Sequence, residues 1–128
     1  GAYYRSRFDI KIIGVTGSVG KTSTKEMIAA ALSQGSNVFK TKGNRNSQIG
    51  LPLTMLDIMP ENETAVIEMG MSEFGEMERL CAIAKPSMAV MTNIGTCLVG
   101  SEMCIRDRYR NCSYRKSWFK RKYYVREI

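Results

Sequence analysis

The sequence predicts an α/β fold in which a mainly parallel sheet is flanked by helices. Short apolar runs rich in β-branched residues alternate with longer segments of helical periodicity, and this alternation is typical of β-α-β units. A turn with two glycines, Gly17 and Gly20, separates the first apolar run from the first helical segment. Glycines allow the sharp backbone turn that such a strand-to-helix junction needs.

The first half of the chain predicts a strand, a helix and a second strand. Residues 10–16 form a β-branched run that is typical of a buried strand. Residues 21–34 have helical periodicity, Gly35 offers a stop, and residues 37–40 are predicted as a short strand. The helix is expected to bury the apolar side chains on one of its sides, namely Met27, Ile28, Ala31 and Leu32.

The second half repeats the pattern after a polar loop at residues 41–50. The elements predicted there are a helix over 51–58, a strand over 64–68, a helix over 74–84 and a strand over 87–92. Pro52 suits the first turn of the first helix, and Pro86 marks the end of the second. Apolar positions of the second helix recur at helical spacing: Met77, Leu80, Cys81 and Ala84.

The net charge of +7 lies at one end of the chain. Residues 1–104 hold ten Lys/Arg and ten Asp/Glu, whereas residues 105–128 hold nine basic and two acidic residues. The basic balance therefore belongs to the last stretch, and the α/β segment has no charge excess to attract nucleic acid. No apolar run approaches the roughly 20 residues of a membrane-spanning helix. A cytoplasmic location without a membrane partner is expected.

The turn after the first strand carries a candidate phosphate-binding motif. Its sequence is Thr16-Gly17-Ser18-Val19-Gly20-Lys21-Thr22-Ser23. Glycines bring backbone N–H groups close to phosphate oxygens, and the following helix presents its positive end to the same anion. Lys21 would pair with the β- and γ-phosphates of a nucleotide, and the Thr22 hydroxyl would hold Mg²⁺. The standard motif has glycine where this chain has Val15, so the motif is a shortened relative.

This motif favours a P-loop-type nucleotide-binding domain. The alternative is a glycine-rich turn that merely joins strand to helix. Gly-Lys-Thr at a predicted helix start favours nucleotide binding over that alternative. The candidate nucleotide-binding residues are Gly17, Ser18, Val19, Gly20, Lys21, Thr22 and Ser23.

Two polar residues follow later strands of the predicted sheet. Glu68 ends one strand and Asn93 ends another. Since ligands of open α/β sheets gather at the carboxyl ends of the strands, both residues are expected on the rim where the phosphate loop lies. A carboxylate there suits Mg²⁺, which prefers oxygen ligands. On position alone, a strand-terminal glutamate that faces water is slightly favoured for Glu68.

Several segments resemble, in order, the central ATP-binding domain of the Mur ligase family. The first is residues 14–26, with the order Thr-Gly-Ser-x-Gly-Lys-Thr-Ser-Thr-Lys-Glu. The others are the loop at residues 42–54, Glu-Met-Gly-Met-Ser at 68–72, Ala-Lys-Pro at 84–86 and Thr-Asn-Ile-Gly at 92–95. The resemblance covers residues 1–95.

The resemblance implies an ATP-dependent amide ligation that uses ATP and Mg²⁺. A substrate carboxylate would attack the γ-phosphate to give an acyl phosphate, and an amine would then displace phosphate. The loop at residues 42–54 resembles one branch of the family, which joins D-alanyl-D-alanine to UDP-N-acetylmuramoyl-tripeptide in peptidoglycan biosynthesis. A monomer is expected.

The resemblance also implies roles for single residues. Lys21 is the catalytic residue of the phosphate loop, and Thr22 and Glu68 lie at Mg²⁺. Asn93 lies near the nucleotide. The residues expected to face the metal and the peptide substrate are Asn44, Asn46 and Ser47.

The resemblance ends near Gly95. Residues 1–95 are predicted to be part of the Mur ligase central domain, and residues 96–128 a basic tail that does not belong to it. Residues 97–108 resemble translated adapter sequence, and the rest of the tail is interpreted as an out-of-frame reading. The family has a histidine shortly after this point, whereas this chain contains none. This chain by itself is therefore expected to be inactive as a ligase.

Two alternatives stay open at the level of sequence. Another Mur-fold amide ligase, of the folylpolyglutamate or cyanophycin synthetase type, is disfavoured by the loop at residues 44–54. A nucleic-acid-binding module would depend on the aromatic and basic residues of the tail, which can stack on and neutralise a single strand. Deletion of residues 97–128 distinguishes the nucleic-acid hypothesis from the ligase hypotheses, because it would remove nucleic-acid binding by the tail and leave nucleotide binding intact.

Overall fold

The structure, a computed structural model, describes residues 2–5, 7, 9–72 and 75–93. It confirms the α/β class. The strands are β1 (Lys11–Thr16), β2 (Val38–Lys40), β3 (Thr64–Glu68) and β4 (Met88–Met91). The helices are α1 (Ala2–Arg5), α2 (Lys21–Leu32), α3 (Gly50–Leu56) and α4 (Glu76–Ala84). The predicted tail at residues 96–128 lies outside the described residues.

The four strands form one parallel sheet in the order β2-β3-β1-β4. β1 lies between β3 and β4, and Ile13 is in register with Val66 on one side and with Met88 on the other. Because the strands are parallel, the carboxyl ends of β1, β3 and β4 meet at one edge of the sheet. Glu68, the residues that follow Thr16, and the residues that follow β4 are therefore brought together at that edge.

Apolar side chains pack on both faces of the sheet. On one face, fully buried side chains of β1 and β3 share a cluster with fully buried side chains of α3 and α4. The strands contribute Ile12 and Ile67, and the helices contribute Leu51, Met55 and Leu80. On the other face a smaller cluster joins Val15 and Val66 to Ala29 of α2. The alternation of Val66 and Ile67 between the two clusters follows from the two-residue period of a strand. The sheet is thus covered by helices on both sides, as predicted.

The predicted buried side of α2 is wrong in part. Met27 is 73% exposed and Ala31 is exposed, whereas the buried residues of this helix are Lys25 and Ala29. The physical reason is that Lys25 lies on the inward face of the helix. Its ammonium group can be buried there because it contacts the carbonyl of Thr41 and the carboxylate of Glu68 at the edge of the sheet. The predicted residues that do face the sheet are Ile28 and Leu32, which are half-buried against the Val15 cluster.

The predicted inward face of α4 is confirmed. Met77, Leu80 and Ala84 are buried, and Cys81 packs against the same core. The helix ends at Ala84, and Lys85 caps it: Lys85 takes a left-handed conformation with φ of 46° and donates its N–H to the carbonyl of Cys81 at 2.8 Å. Within the described part of the chain, no helix has both the length and the apolar character to cross a membrane.

Candidate functional site

The candidate site begins with the loop that joins β1 to α2. Gly17 has φ of 141° and Gly20 has φ of 80°, conformations that favour glycine. A Cβ atom at Gly17 would lie 2.0 Å from Oγ1 of Thr92. Gly17 is therefore needed both for its backbone conformation and for the close approach of Thr92, the residue that follows β4. This close packing fixes the loop against the edge of the sheet.

The end of β4 holds this loop through hydrogen bonds. The Asn93 side-chain oxygen Oδ1 accepts from the N–H of Ser18 at 3.1 Å and from the N–H of Val19 at 3.0 Å. The Ser18 N–H also lies 3.3 Å from the Asn93 carbonyl. Thr92 donates its N–H to the carbonyl of Thr16 at 2.9 Å, which continues the β1–β4 pairing. Asn93 therefore lies beside the candidate phosphate-binding loop and contacts its backbone.

The loop and the start of α2 present positive charge to the same space. Gly20 precedes the helix, and no side chain caps the first turn. The first N–H groups of a helix lack partners within it, and the helix dipole adds partial positive charge there. Lys21 folds over the loop and donates from Nζ to the carbonyl of Gly17 at 2.9 Å and, less closely, to that of Ser18 at 3.4 Å. This arrangement suits an anion.

Glu68 places a carboxylate opposite the start of α2. It is only 2% exposed, so its position is set by specific partners. Thr22 donates from Oγ1 to Oε2 of Glu68 at 3.0 Å, and Asn46 donates from Nδ2 to Oε1 at 2.9 Å. The backbone N–H of Glu68 donates to Oγ1 of Thr41 at 3.0 Å. The sequence alone slightly favoured a glutamate that faces water; the structure instead buries Glu68 among polar side chains.

The loop at residues 41–50 brings Asn46 to Glu68. The carbonyl of Asn46 accepts from the N–H of Gly70 at 2.8 Å, directly after β3. A Cβ atom at Gly70 would lie 3.0 Å from the Asn46 side chain, so the two segments are in close contact. Ser47 has a different position, because its hydroxyl accepts from the N–H of Gly50 at 3.3 Å at the start of α3.

These elements line an open cavity of about 450 Å³. The residues that line it are Ser18, Val19, Gly20, Lys21, Thr22, Ser23, Asn44, Asn46 and Glu68. The structure thus brings together nine of the predicted site residues. The predicted residues that do not line the cavity are Gly17, Ser47 and Asn93. Gly17 is part of the loop between β1 and α2, and Asn93 holds that loop by its backbone N–H groups.

The oxygen atoms around Glu68 fit a hard divalent cation. A carboxylate, the Thr22 hydroxyl and the Asn46 amide are the ligand types that Mg²⁺ accepts, with phosphate and water oxygens completing its shell. Among the residues that the structure describes, no group of three or more His, Cys, Asp or Glu is assembled. A cation here would therefore depend on a bound phosphate for several of its ligands.

Lys25 is a site residue that the sequence reasoning missed. It is 1% exposed, and Nζ donates to the carbonyl of Thr41 at 2.9 Å. Nζ also lies 3.7 Å from Oε2 of Glu68 and 3.4 Å from Oε1 of Glu26. The available signal was spacing, since Lys25 follows Thr22 by three residues and so shares its helix face.

Glu26 lies on the exposed side of this lysine. It pairs with Lys40 as well as with Lys25. The hydrogen bond from Lys40 is the largest cause that lowers the pKa of Glu26 below its ordinary value of 4.5, and Lys25 adds to the effect. Lys25 therefore lies between an exposed carboxylate and the buried carboxylate of Glu68.

The fold and the site together define a parallel α/β domain whose glycine loop, lysine and carboxylate meet at the carboxyl edge of the sheet. Residues 15–97 match the Mur ligase middle domain. The chain therefore belongs to the Mur ligase family, and the matched segment is its middle domain. The predicted family membership is confirmed.

Curated relatives carry a more specific name. The UDP-N-acetylmuramoyl-tripeptide–D-alanyl-D-alanine ligase of Synechocystis sp. is 51% identical over 109 residues, which are 83% of this chain and 24% of the relative. The enzyme of the same name from Bacillus subtilis is 56% identical over 93 residues, 72% of this chain and 20% of the relative. The chain thus spans about a quarter or less of the length of these two relatives.

Solved structures of MurF ligases share the fold of this chain. MurF from Acinetobacter baumannii aligns with a TM-score of 0.78 and 35% identity, over 96% of this chain and 26% of that protein. The MurF ligase from Thermotoga maritima in complex with ADP aligns with a TM-score of 0.82 and 30% identity, over 97% of this chain and 34% of that protein.

Proposed function

We propose that this chain contributes the ATP-binding domain of a ligase that joins D-alanyl-D-alanine to UDP-N-acetylmuramoyl-tripeptide. The observation that carries the proposal is the cavity in which the glycine loop, Lys21, Thr22 and Glu68 face one another. The names of the relatives from Synechocystis and Bacillus subtilis support the choice of substrates. The ADP complex of the Thermotoga maritima protein supports the choice of nucleotide.

The phosphate loop would bind the anionic end of ATP. Its backbone N–H groups and the first turn of α2 offer hydrogen-bond donors, and Lys21 offers a full positive charge. Lys21 would leave the carbonyls of Gly17 and Ser18 and move onto the phosphate oxygens. There it would neutralise charge that develops during transfer of the γ-phosphoryl group.

Thr22, Glu68 and Asn46 would hold Mg²⁺. A cation bound there would supply positive charge that neutralises the phosphate oxygens. Thr22 and Asn46 already fix both carboxylate oxygens of Glu68, so little reorganisation of the carboxylate is needed. Asn44, Asn46 and Ser47 would present their loop toward the peptide substrate, whose carboxylate attacks the γ-phosphorus as ADP departs. The amine of D-alanyl-D-alanine would then attack the acyl carbon, lose a proton and release phosphate.

The proposal also covers the organisation of the chain. Residues 1–95 would form the nucleotide-binding part, and residues 96–128 would take no part in it. The protein would act in the cytoplasm as a monomer.

Nucleotide binding is the first test of this proposal. The affinity of the 128-residue chain for ADP in the presence of Mg²⁺ would be measured by titration calorimetry. Lys21→Met should weaken binding by about tenfold or more, because it removes a charge-assisted contact to phosphate. Lys42→Met removes an exposed lysine outside the cavity and should leave the affinity within about twofold. Equal affinities for Lys21→Met and the unmodified chain would overturn the assignment of the phosphate loop.

The choice of reaction needs a whole ligase. Residues 15–93 of this chain would replace the matching segment of the Bacillus subtilis relative, which is 56% identical over 93 residues. The chimera should release phosphate from ATP only when both UDP-N-acetylmuramoyl-tripeptide and D-alanyl-D-alanine are present, and Lys21→Met in the chimera should abolish release. A folded chimera that binds ATP but shows no substrate-dependent release would contradict the proposed reaction.

A further inference from the structure

We propose that Lys25 is a positioning residue that couples cation binding at Glu68 to nucleotide binding at the phosphate loop. This inference rests on the proposed function, because it concerns the cation that accompanies the nucleotide. Lys25 does not line the cavity. It lies behind Glu68, on the side of the carboxylate that faces α2 and the end of β2.

Apart from its ion pair with the exposed carboxylate of Glu26, the contacts of Lys25 converge on Glu68 and on Thr41, which holds the backbone of Glu68. Its Nζ donates to the carbonyl of Thr41 at 2.9 Å, and the hydroxyl of Thr41 accepts from the N–H of Glu68 at 3.0 Å. The same Nζ lies 3.7 Å from Oε2 of Glu68. Lys25 therefore acts on Glu68 twice, directly through charge and indirectly through the residue that holds its backbone.

Packing does not explain a lysine at this position. Lys25 is 1% exposed and lies on the face of α2 that also carries Ala29 of the apolar cluster. Removing an ammonium group from water is unfavourable, and well-packed apolar side chains commonly stabilise a fold as well as a buried ion pair does. The charge is therefore best explained by what it does to Glu68.

That effect is to fix the orientation of the carboxylate. Thr22 and Lys25 draw Oε2 toward α2, while Asn46 holds Oε1 on the opposite side. A carboxylate held in this way presents its oxygen atoms to a cation without a loss of rotational freedom on binding. The ammonium charge also offsets that of Glu68, so the site by itself attracts a divalent cation weakly. Phosphate oxygens must then complete the site, and cation and nucleotide bind together.

The test measures this coupling in the 128-residue chain. The dissociation constant of ADP is determined with excess EDTA and again with saturating Mg²⁺, and the ratio of the two constants is the coupling. Lys25→Met should reduce the ratio by about tenfold, because without the ammonium charge the carboxylate of Glu68 attracts Mg²⁺ even when no nucleotide is bound. The constant in EDTA should stay within about threefold of that of the unmodified chain, since Lys25 does not line the cavity. Lys25→Gln is a second variant that can retain a donor for Thr41, and the same reduction is expected.

A double-mutant cycle distinguishes positioning from general damage. Glu68→Gln should reduce the coupling on its own, and Lys25→Met should add no further loss in that background, because Lys25 acts through Glu68. Glu26→Gln is the matched control, since it removes the other carboxylate near Lys25 and should leave the ratio within about twofold. Circular dichroism of each variant establishes that it is folded.

The outcomes separate this inference from the proposed function. If the unmodified chain binds ADP and Mg²⁺ strengthens that binding, but folded Lys25→Met and Lys25→Gln keep the full ratio, the positioning role is wrong and the nucleotide site stands. The positioning role would also be contradicted if Lys25→Met reduced the ratio equally in the unmodified chain and in the Glu68→Gln variant. If the unmodified chain does not bind ADP at all, the proposed function itself fails.

Discussion

Thr22 and Glu68 are 46 positions apart in sequence, yet Oγ1 of Thr22 donates a hydrogen bond to Oε2 of Glu68 at 3.0 Å. The contact joins the first turn of α2 to the last residue of β3. It follows from the parallel pairing of β1 and β3, because both strands deliver their carboxyl ends to one edge of the sheet. At this pair of residues, the start of α2 meets the buried carboxylate on the wall of the cavity.

Replacement of Thr22 by valine tests this contact. Thr22→Val keeps the shape of the side chain and removes the hydroxyl, so it should weaken Mg²⁺-dependent ADP binding by about tenfold, the scale of one hydrogen bond to a charged group. Thr24→Val is a matched control on the same helix, because Thr24 does not line the cavity. The two affinities would be compared by titration calorimetry. Equal losses in both variants would argue against a specific role for Thr22.

Replacement of Gly17 by alanine should disrupt the phosphate loop. The φ of 141° is unfavourable for alanine, and the added Cβ would lie 2.0 Å from Oγ1 of Thr92. We expect a loss of about 1–3 kcal/mol in the free energy of unfolding, measured by urea denaturation, together with a loss of ADP affinity. Gly35→Ala provides the comparison, since nothing lies within 4 Å of a Cβ there. A Gly17→Ala variant as stable as Gly35→Ala would contradict the described loop geometry.

Two methionines test the packing of the helices. Met55 of α3 is fully buried, whereas Met27 of α2 is 73% exposed. Met55→Ala should lower the free energy of unfolding by about 2–5 kcal/mol, because it leaves a cavity in the core. Met27→Ala should change it by no more than about 0.5 kcal/mol, as is usual for surface substitutions. If urea denaturation gave Met27→Ala the larger effect, the inward face of α2 would be the one that the sequence predicted.

Most of the fold could be predicted because its signals are local. The strand at residues 64–68 and the helix starting at residue 21 agree with β3 and with the start of α2. These two predictions depend on the spacing of apolar residues along the chain and on glycines next to the element. The inward face of α2 could not be predicted in the same way. Apolar periodicity identifies a buried helix face only when the buried residues are apolar, and Lys25 is not.

The site was predictable to the extent that topology determines it. Parallel strands place Glu68 and Asn93 beside the loop after β1, and the structure has both residues there. The contacts of Lys25 and Thr41 with Glu68 were missed because they are tertiary and leave no periodic signal. Ser47 was grouped with Asn44 and Asn46 on resemblance, yet its hydroxyl contacts the start of α3. A sequence pattern cannot separate these two uses of a polar loop residue.

Substitutions at Asn93 test whether this residue serves the nucleotide through the loop. Its Oδ1 accepts from the N–H groups of Ser18 and Val19, so Asn93→Ala leaves both donors without this partner and loosens the loop. ADP affinity should fall about three- to tenfold, the scale of one or two neutral hydrogen bonds. Asn93→Asp keeps an acceptor in place but adds a negative charge beside an anion site, so it should preserve the thermal stability of the chain and still weaken ADP binding. Asn62→Ala removes a comparable side-chain acceptor, one that accepts from the N–H of Met59, and should not affect ADP. If Asn93→Asp bound ADP as well as the unmodified chain, the bound phosphate would not lie near this residue.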